Sequence, residues 1–199
     1  MNKYFHSQWY LKQTTHNPWV TLNPAFTPLE CQTIQTLAER YPRIPARVGR
    51  TDSVNDTIRR STIRWFDSGD TDVQWIYQRL TDQLMTVNEQ AFKYDLDYIE
   101  CLQYTEYLHP NDANEPHVDM WYYKGMHNRK LSFSLQLTDP TLYTGCDLEM
   151  MLGHEETHLA SREQGALHVF PSFQMHRVTP LLTGQRASLV GWVAGPAWR

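Results

Sequence analysis

The sequence predicts an α+β protein that is mainly β, with helices in the first half and a β-sandwich or jelly roll in the second. Two observations carry this prediction. Apolar residues recur at helical spacing in two segments within 27–93, and short segments of alternating apolar and polar residues follow over about 98–199. A length of 199 residues fits a single domain over 1–199, with the helices as support for the β core.

Both predicted helices have clear sequence signals. The first begins after Thr27 as the N-cap, with Pro28 at the first helical position and Glu30 completing a capping box. The second begins at Asp70 or Thr71 and keeps its apolar residues on one face. Because each helix has one apolar face, we expect both to pack on a sheet.

The second half contains five segments predicted as strands: YIECLQYTEYL, RKLSFSLQLTD, CDLEMML, GALHVFPS and RASLVGWVAG. In LSFSLQL the alternation is strict, so that leucine and phenylalanine share one face and Ser132, Ser134 and Gln136 share the other. We expect the apolar face to join the core and the polar face to line a wet pocket.

Composition excludes several classes of function. A net charge of −4 lacks the basic balance of a nucleic-acid-binding protein, so no nucleic-acid partner is predicted. No apolar stretch approaches the length of a membrane helix, and the first residues lack a signal-peptide pattern. The three cysteines are scattered and odd in number, which is typical of free thiols in the cytoplasm. The oligomeric state stays open.

The segment HEETH at 154–158 matches H-E-x-x-H, the signature of a zinc metallopeptidase. That chemistry requires His154, Glu155 and His158 on a helix, because only there do residues i and i+4 present both imidazoles to one metal. Here Gly153 precedes the motif, Gly165 follows it and the segment has no apolar stripe. An exposed connection is therefore predicted, and a zinc peptidase remains the weaker alternative.

A second set of residues has the composition of a metal site. His117 and Asp119 lie two residues apart, which places them on the same face of a strand, and His176 can join them from a distant strand. Two histidines and one carboxylate leave three metal positions open, the ligand set of non-haem Fe(II) oxygenases. An isolated His-x-Asp is more often a surface turn, so the wider pattern decides.

The wider pattern includes Arg186, ten residues after His176. In RASLVGW the residues Arg186, Ser188, Val190 and Trp192 share one strand face. A guanidinium beside a hydroxyl is suited to bidentate binding of a carboxylate. An open metal site with such a clamp fits a chelating 2-oxo acid.

At these residues the chain resembles the prolyl 4-hydroxylase-like family of Fe(II)/2-oxoglutarate-dependent dioxygenases. The similar segments fall within about 55–199 and are IRRSTIRWF, LQYTEYLHPNDANEPHVDM, RKLSFSLQLTDPTLYTGCDLEM and GALHVFPSFQMHRVTPLLTGQRASLVGWVAGP. The resemblance implies a double-stranded β-helix, or jelly roll, with the N-terminal helices packed on its major sheet. Cys146 departs from the family, which commonly has a second glycine there.

The resemblance also implies roles for individual residues. The triad of His117, Asp119 and His176 would bind Fe(II), and Arg186 would bind the distal carboxylate of 2-oxoglutarate. Four further residues would contact or face the co-substrate: Ser188, Tyr104, Ser134 and Gln136. Tyr104 also has the alternative of a packed core tyrosine. Besides Fe(II), 2-oxoglutarate and O2, the family resemblance suggests ascorbate.

The implied reaction hydroxylates an unactivated C–H and releases succinate and CO2. A prolyl residue of a peptide or protein is the predicted target, and a free amino acid or other small molecule is the alternative. The segment Arg43–Asn55 is either a solvated loop or a flap over the site. Trp121, Tyr122 and Tyr123 follow the metal strand, where they could pack against a proline ring. An AlkB-like demethylase would share the metal chemistry, but the charge balance gives no basic footprint for nucleic acid. A non-catalytic binding module would keep the sandwich and lose a ligand, whereas here all three are present.

Overall fold

The computed structural model describes residues 18–47, 55, 57–120, 128–153 and 156–198, and the structural statements below concern these residues. The elements, in chain order, are β1 (Val20–Leu22), α1 (Pro28–Ala38), β2 (Ile44–Pro45), β3 (Arg59–Arg60), β4 (Thr62–Phe66), α2 (Gln74–Val87), a π-helical turn (Asn88–Phe92), β5 (Tyr98–Ile99), β6 (Leu102–Tyr107), β7 (Ala113–His117), β8 (Asn128–Gln136), a 3-10 turn (Pro140–Leu142), β9 (Tyr143–Gly145), β10 (Leu148–Met151), β11 (Thr157–Leu159), β12 (Leu167–Pro171), β13 (His176–Val178), β14 (Leu181–Gly184) and β15 (Arg186–Gly195).

Two antiparallel sheets form the core of the molecule. The major sheet has the order β1-β12-β8-β15-β6-β4-β2, with β5 paired to β15, and the minor sheet has the order β11-β10-β13-β7-β3. Strands β9 and β14 form a separate pair. Apart from β10 and β11, the neighbours in each sheet are not consecutive along the chain, which is typical of a jelly roll. The predicted fold class, mainly β with a double-stranded β-helix, is confirmed.

The first helix forms where its capping signals lie. The Thr27 hydroxyl accepts a hydrogen bond from the Glu30 N–H at 3.2 Å, and the Glu30 carboxylate accepts one from the Thr27 N–H at 2.7 Å. Both ends of the predicted capping box are therefore present. The buried residues of α1 are Cys31, Ile34 and Ala38.

The second helix begins later than predicted. Its first residue is Gln74, because the Asp70 carboxylate accepts the N–H of Asp72 at 2.9 Å and so stabilises a turn before the helix.

No helix in the described part of the chain is long and apolar enough to cross a membrane.

The strict alternation of β8 separates two environments. On one face Leu131, Phe133 and Leu135 are fully buried, in a single core with both helices and the other long strands of the major sheet. On the other face Ser132 and Ser134 point between the sheets, where they are also buried. The helices therefore pack on the major sheet as predicted, and the opposite face of that sheet lines the space between the two sheets.

Candidate active site

Three side chains that can hold a metal meet between the two sheets. His117 is the last residue of β7 and His176 is the first residue of β13, and the two are direct cross-strand partners. Asp119 follows two residues after His117. One potential ligand atom from each residue lies within 4.8 Å of the others. Residues nearly 60 positions apart therefore form one cluster because the strands that carry them are paired.

Asp119 lies outside the strand in which it was predicted, because β7 ends at His117. The N–H of Asp119 instead donates to the carbonyl of Ser172 at 2.9 Å, which joins this segment to the turn before His176. The Asp119 carboxylate oxygens lie 3.6 Å from Nε2 of His117 and 3.5 Å from Nε2 of His176. Its same-side position relative to His117 is therefore retained without a continuous strand.

Backbone carbonyls fix both imidazole rings. Nδ1 of His117 lies 2.8 Å from the carbonyl of Glu115, and Nδ1 of His176 lies 3.0 Å from the carbonyl of Gln174. A carbonyl only accepts hydrogen bonds, so each Nδ1 carries the proton and each Nε2 presents a lone pair toward Asp119. This outer hydrogen bonding is typical of histidines that ligate metals.

Burial and mutual proximity set the charges of the cluster. Burial, followed by the nearby His176, lowers the pKa of His117 to about 4, although Asp119 acts in the opposite direction. Burial by itself would raise the pKa of Asp119, but His176 and His117 hold it below its usual value. A neutral imidazole and an ionised carboxylate are the forms that bind metal ions.

The cluster opens into a cavity between the sheets. The four residues predicted to share one face of β15, Arg186, Ser188, Val190 and Trp192, all line this cavity, and so does Ser134 of β8. The alternation predicted for β15 therefore places Arg186 in the cavity that also contains the His-Asp-His cluster.

Arg186 has the environment of a binding residue. Its guanidinium is buried, and Nε donates to Oε1 of Gln136 at 3.0 Å. Nη1 is buried with no hydrogen-bond partner, and no ion pair to a carboxylate forms within the described residues. Burial disfavours the charge, yet Cys146, Tyr143 and Tyr107 nearby raise the pKa of Arg186 overall, so it stays cationic. A buried cation with a free donor fits the distal carboxylate of 2-oxoglutarate.

Gln136 supports Arg186 without lining the cavity. Its Nε2 donates to the carbonyl of Thr138 at 3.1 Å and to the hydroxyl of Tyr143 at 3.0 Å. These two acceptors fix the carboxamide so that Oε1 faces Nε of Arg186. The contact predicted between Gln136 and the co-substrate is therefore corrected to a contact with the arginine.

The placement of Tyr104 corrects another prediction. Tyr104 lies on the face of β6 that packs on the helices, with its ring 6.2 Å from that of Phe66. Tyr107, three residues further along the strand, lines the cavity, and its ring centroid lies 5.6 Å from Cζ of Arg186. The signal was present in the sequence, because Gln103 and Thr105 share the face of Tyr107 and mark it as polar.

The zinc motif receives no support from the structure. His154 and Glu155 lie outside the described residues. His158 lies on β11, an exposed edge strand, with its ring stacked 4.6 Å from that of Trp19. The predicted connection therefore includes a short strand. A strand at this position is incompatible with the helix that the peptidase motif requires.

Other predicted features fall partly or wholly outside the described residues. Within Arg43–Asn55, residues 48–54 are not described, and β2 pairs with β4 at the start of the segment. Trp121, Tyr122 and Tyr123 are also not described. Their expected contacts with a substrate therefore stay predictions.

The jelly roll, the His-Asp-His cluster and the unpartnered arginine together match the arrangement predicted from the sequence for an Fe(II)/2-oxoglutarate-dependent oxygenase. The donor set fits Fe(II), because two imidazoles and one carboxylate on one side leave positions for co-substrate and O2. Arg186 fits 2-oxoglutarate because its buried Nη1 lacks an acceptor.

Sequence comparison places the chain beside PKHD-type hydroxylases. It is 38% identical over 79 residues to such a hydroxylase from Synechococcus sp. (strain CC9311), which is 40% of this chain and 35% of that protein. It is 38% identical over 63 residues to one from Hyphomonas neptunium, which is 32% of this chain and 28% of that protein. The similarity therefore spans about a third of the length of these curated relatives. No protein-family model matches the chain.

Solved structures show the same fold over nearly the whole chain. A Pseudomonas putida prolyl-4-hydroxylase superposes with a TM-score of 0.72 and 24% identity, covering 92% of this chain and 95% of that one. A Trichoplax adhaerens prolyl hydroxylase, solved with a hypoxia-inducible-factor peptide fragment, gives a TM-score of 0.75 and 16% identity, covering 90% and 84%. The predicted resemblance to prolyl 4-hydroxylase-like oxygenases is confirmed at the level of fold and sequence similarity.

Proposed function

We propose that the protein is an Fe(II)- and 2-oxoglutarate-dependent oxygenase that hydroxylates an unactivated C–H of a prolyl residue in a peptide or protein. The observation that carries the proposal is the cavity shared by the His-Asp-His cluster and Arg186. A metal site alone fits many reactions, whereas a buried arginine without a counter-ion in the same cavity calls for a co-substrate with a carboxylate.

Each residue contributes a defined step. His117, Asp119 and His176 would hold the metal, and their outer hydrogen bonds keep Nε2 of both rings available for it. Arg186, oriented by Gln136, would bind the distal carboxylate of 2-oxoglutarate. The buried walls limit the access of water to the site. When bound, Fe(II) supplies the activation of O2 that couples decarboxylation of 2-oxoglutarate, to succinate and CO2, with hydroxylation.

The choice of a prolyl target has two supports. The sequence relatives are hydroxylases of the PKHD type, and two structural neighbours are prolyl hydroxylases, one of them in complex with a peptide. The cavity also presents an aromatic wall at Trp192, against which a saturated ring can pack. A free amino acid or other small molecule is the second candidate, because the His-Asp-His cluster and Arg186 would serve the same chemistry on it.

The test is an incubation of the protein with Fe(II), 2-oxoglutarate and a library of proline-containing peptides, followed by mass spectrometry. We expect succinate formation coupled to an added oxygen on proline. The His117→Ala protein serves as the matched negative control. Succinate formation stimulated by free amino acids and by no peptide would replace the peptide proposal with the small-molecule one.

Four further expectations complete the proposal. A single domain over 1–199, a cytoplasmic location and the absence of a nucleic-acid partner stay predictions from composition. Ascorbate would act by keeping the metal in the Fe(II) state. Omitting ascorbate from the incubation should lower the total number of turnovers and leave the initial rate unchanged.

A further inference from the structure

The cavity contains a second arginine that the proposed function does not use. Arg59 of β3 lines the same cavity as the metal cluster. Its cross-strand partner on β7 is Asn114, whose Nδ2 lies 3.3 Å from Nε2 of His117. Arg59 therefore lies on the minor-sheet wall of the cavity, next to the metal ligands, whereas Arg186 belongs to the major sheet.

Arg59 has no counter-ion of its own among the residues that the structure describes. Its Nε donates to the hydroxyl of Ser61 at 3.0 Å, and it forms no ion pair within the described residues. Protein atoms surround most of the guanidinium, although part of the residue stays accessible through the cavity. Burial lowers the pKa of Arg59, while Tyr107 and Asp119 counteract this, and an arginine keeps its charge at all physiological pH values.

The charges of the described cavity lining, taken with the metal and 2-oxoglutarate, do not balance without a further anion. Among its described lining residues, Asp119 is the one carboxylate, and Arg59 and Arg186 are the two fixed cations. The histidines count as neutral, since imidazole binds metal only in that form. A divalent metal and a doubly charged 2-oxoglutarate offset each other, and Asp119 offsets one arginine. One positive charge remains, and in a buried site this favours an anionic ligand.

We infer that the substrate presents a carboxylate to Arg59. This inference rests on the proposed function and narrows its substrate class to a compound with a carboxylate close to the oxidised C–H. In a peptide the carboxylate comes from an acidic side chain beside the target proline or from the chain terminus. In a free amino acid it is the α-carboxylate.

The test compares matched acid and amide ligands. The set consists of short prolyl peptides with Asp or Asn beside the proline, the same peptides with a free or amidated C-terminus, and L-proline with L-prolinamide. Dissociation constants are measured by calorimetry without O2, with Mn(II) in place of iron and saturating 2-oxoglutarate. Wild-type protein should prefer at least one acid over its amide by about tenfold or more, since a buried charge pair is lost in the amide.

Variants assign the preference to Arg59. Arg59→Gln should remove the preference by weakening acid binding alone, and Arg59→Lys should restore part of it. Arg60→Gln is the matched control, because this neighbour on β3 is exposed and does not line the cavity. Thermal unfolding of each variant verifies that it is folded.

Three results would overturn the inference. In the first, no acid binds better than its amide, and in the second, the preference survives in Arg59→Gln. In the third, Arg59→Gln weakens 2-oxoglutarate binding as strongly as Arg186→Gln does, which would make Arg59 a second anchor for the co-substrate. Failure of the proposed function itself is distinguishable, because wild-type protein would then bind neither Mn(II) nor 2-oxoglutarate.

Discussion

Two buried arginines on opposite faces of the major sheet differ in how their charge is satisfied. Arg64 of β4 faces the helices, where it donates to the Glu106 carboxylate at 3.1 Å and to the carbonyls of Ala38 and Tyr41 at 3.0 and 2.7 Å. Arg186 of β15 faces the cavity, where Nε has a neutral partner and Nη1 has none. The charge of Arg64 is satisfied within the fold, whereas Arg186 keeps a donor without a partner among the described residues.

The comparison distinguishes an arginine that stabilises the fold, Arg64, from one that is available to bind a ligand, Arg186. The carboxylate of Glu106 also binds Arg43 through two hydrogen bonds of 2.9 Å, so the group on the helix side ties β2, β4 and β6 to the end of α1. On the cavity side, folding leaves a desolvated guanidinium with unused hydrogen-bonding capacity, which costs stability that a ligand can recover. We therefore expect substitutions on the two faces to fail in different ways.

The largest effect is expected at the metal cluster. Asp119→Ala should abolish turnover and reduce Fe(II) affinity by more than about 100-fold, because loss of even an outer hydrogen-bond partner of a ligand typically costs 10–100-fold. Metal content after dialysis and succinate formation measure the two effects. His158→Ala is the control and should retain both. Wild-type turnover in Asp119→Ala would show that the cluster is not the metal site.

A substitution in the ion pair of Arg64 and Glu106 on the helix side should lower the stability of the protein. Glu106→Gln removes the counter-charge of Arg64 and is expected to lower the free energy of unfolding by about 3 kcal/mol, since breaking a buried ion pair leaves a charge uncompensated. Urea unfolding measures this change. The affinity of the folded protein for 2-oxoglutarate should stay at the wild-type value. A stable Glu106→Gln protein that no longer binds 2-oxoglutarate would remove the distinction between the two faces.

The buried His168 provides a second test of stability, based on its dependence on pH. Burial lowers the pKa of His168 to about 4, and its two ring nitrogens contact the Thr21 hydroxyl and the Ser161 carbonyl. As the pH falls from 6.5 toward 4, the imidazole of His168 is protonated in the unfolded chain but stays neutral in the folded protein. The contribution of His168 to stability is therefore fully present above pH 6.5 and is lost as the pH falls toward 4. Between pH 7 and pH 5 the loss is about 2 kcal/mol.

The comparison variant for this pH test is His168→Gln, which should lose less stability than wild type over the same pH interval. Urea unfolding at both pH values measures the difference. Identical losses in the two proteins would mean that His168 does not account for the pH dependence. The experiment can use metal-free protein, because the protonation of His117 changes the stability of wild type and of His168→Gln by the same amount.

The smallest effect is expected at Arg186 when stability is measured. Arg186→Met replaces an unpaired buried charge with an apolar side chain of similar length, a change that is commonly neutral or stabilising. The free energy of unfolding of ligand-free protein should therefore change by less than about 1 kcal/mol or increase. A loss as large as that of Glu106→Gln would show that Arg186 is a structural residue like Arg64.

Local signals explain which parts of this molecule could be predicted from its sequence. The capping box of α1 and the alternation of β8 and β15 depend on neighbouring residues, so both were predicted at the right positions. Strands β7 and β13 carry the histidines but are short and lack alternation, and only long-range pairing reveals them. The three candidate ligands could nevertheless be predicted, because His-x-Asp, the distal histidine and Arg186 keep a recognisable spacing.

The polar surroundings of the site were harder to predict. Whether Tyr104 or Tyr107 faces the cavity depends on the register of β6 with β15, which pairs Tyr107 with Arg186. The contact of Gln136 with Arg186 depends on the Tyr143 hydroxyl, which comes from a different strand. Arg59 had no signal of its own among the seven arginines between Arg40 and Arg64. Its importance follows from the pairing of β3 with β7.

The most direct test of the difference between the two arginines is calorimetric binding of two oxo acids to the Mn(II)-loaded protein without O2. The dicarboxylate 2-oxoglutarate should bind the wild type tenfold to several thousandfold more tightly than the monocarboxylate 2-oxobutyrate, roughly the value of one buried charge pair. Arg186→Gln should reduce that ratio to about one by weakening only the dicarboxylate. Equal binding of the two acids by the wild type, or an unchanged ratio in Arg186→Gln, would contradict the assignment of Arg186.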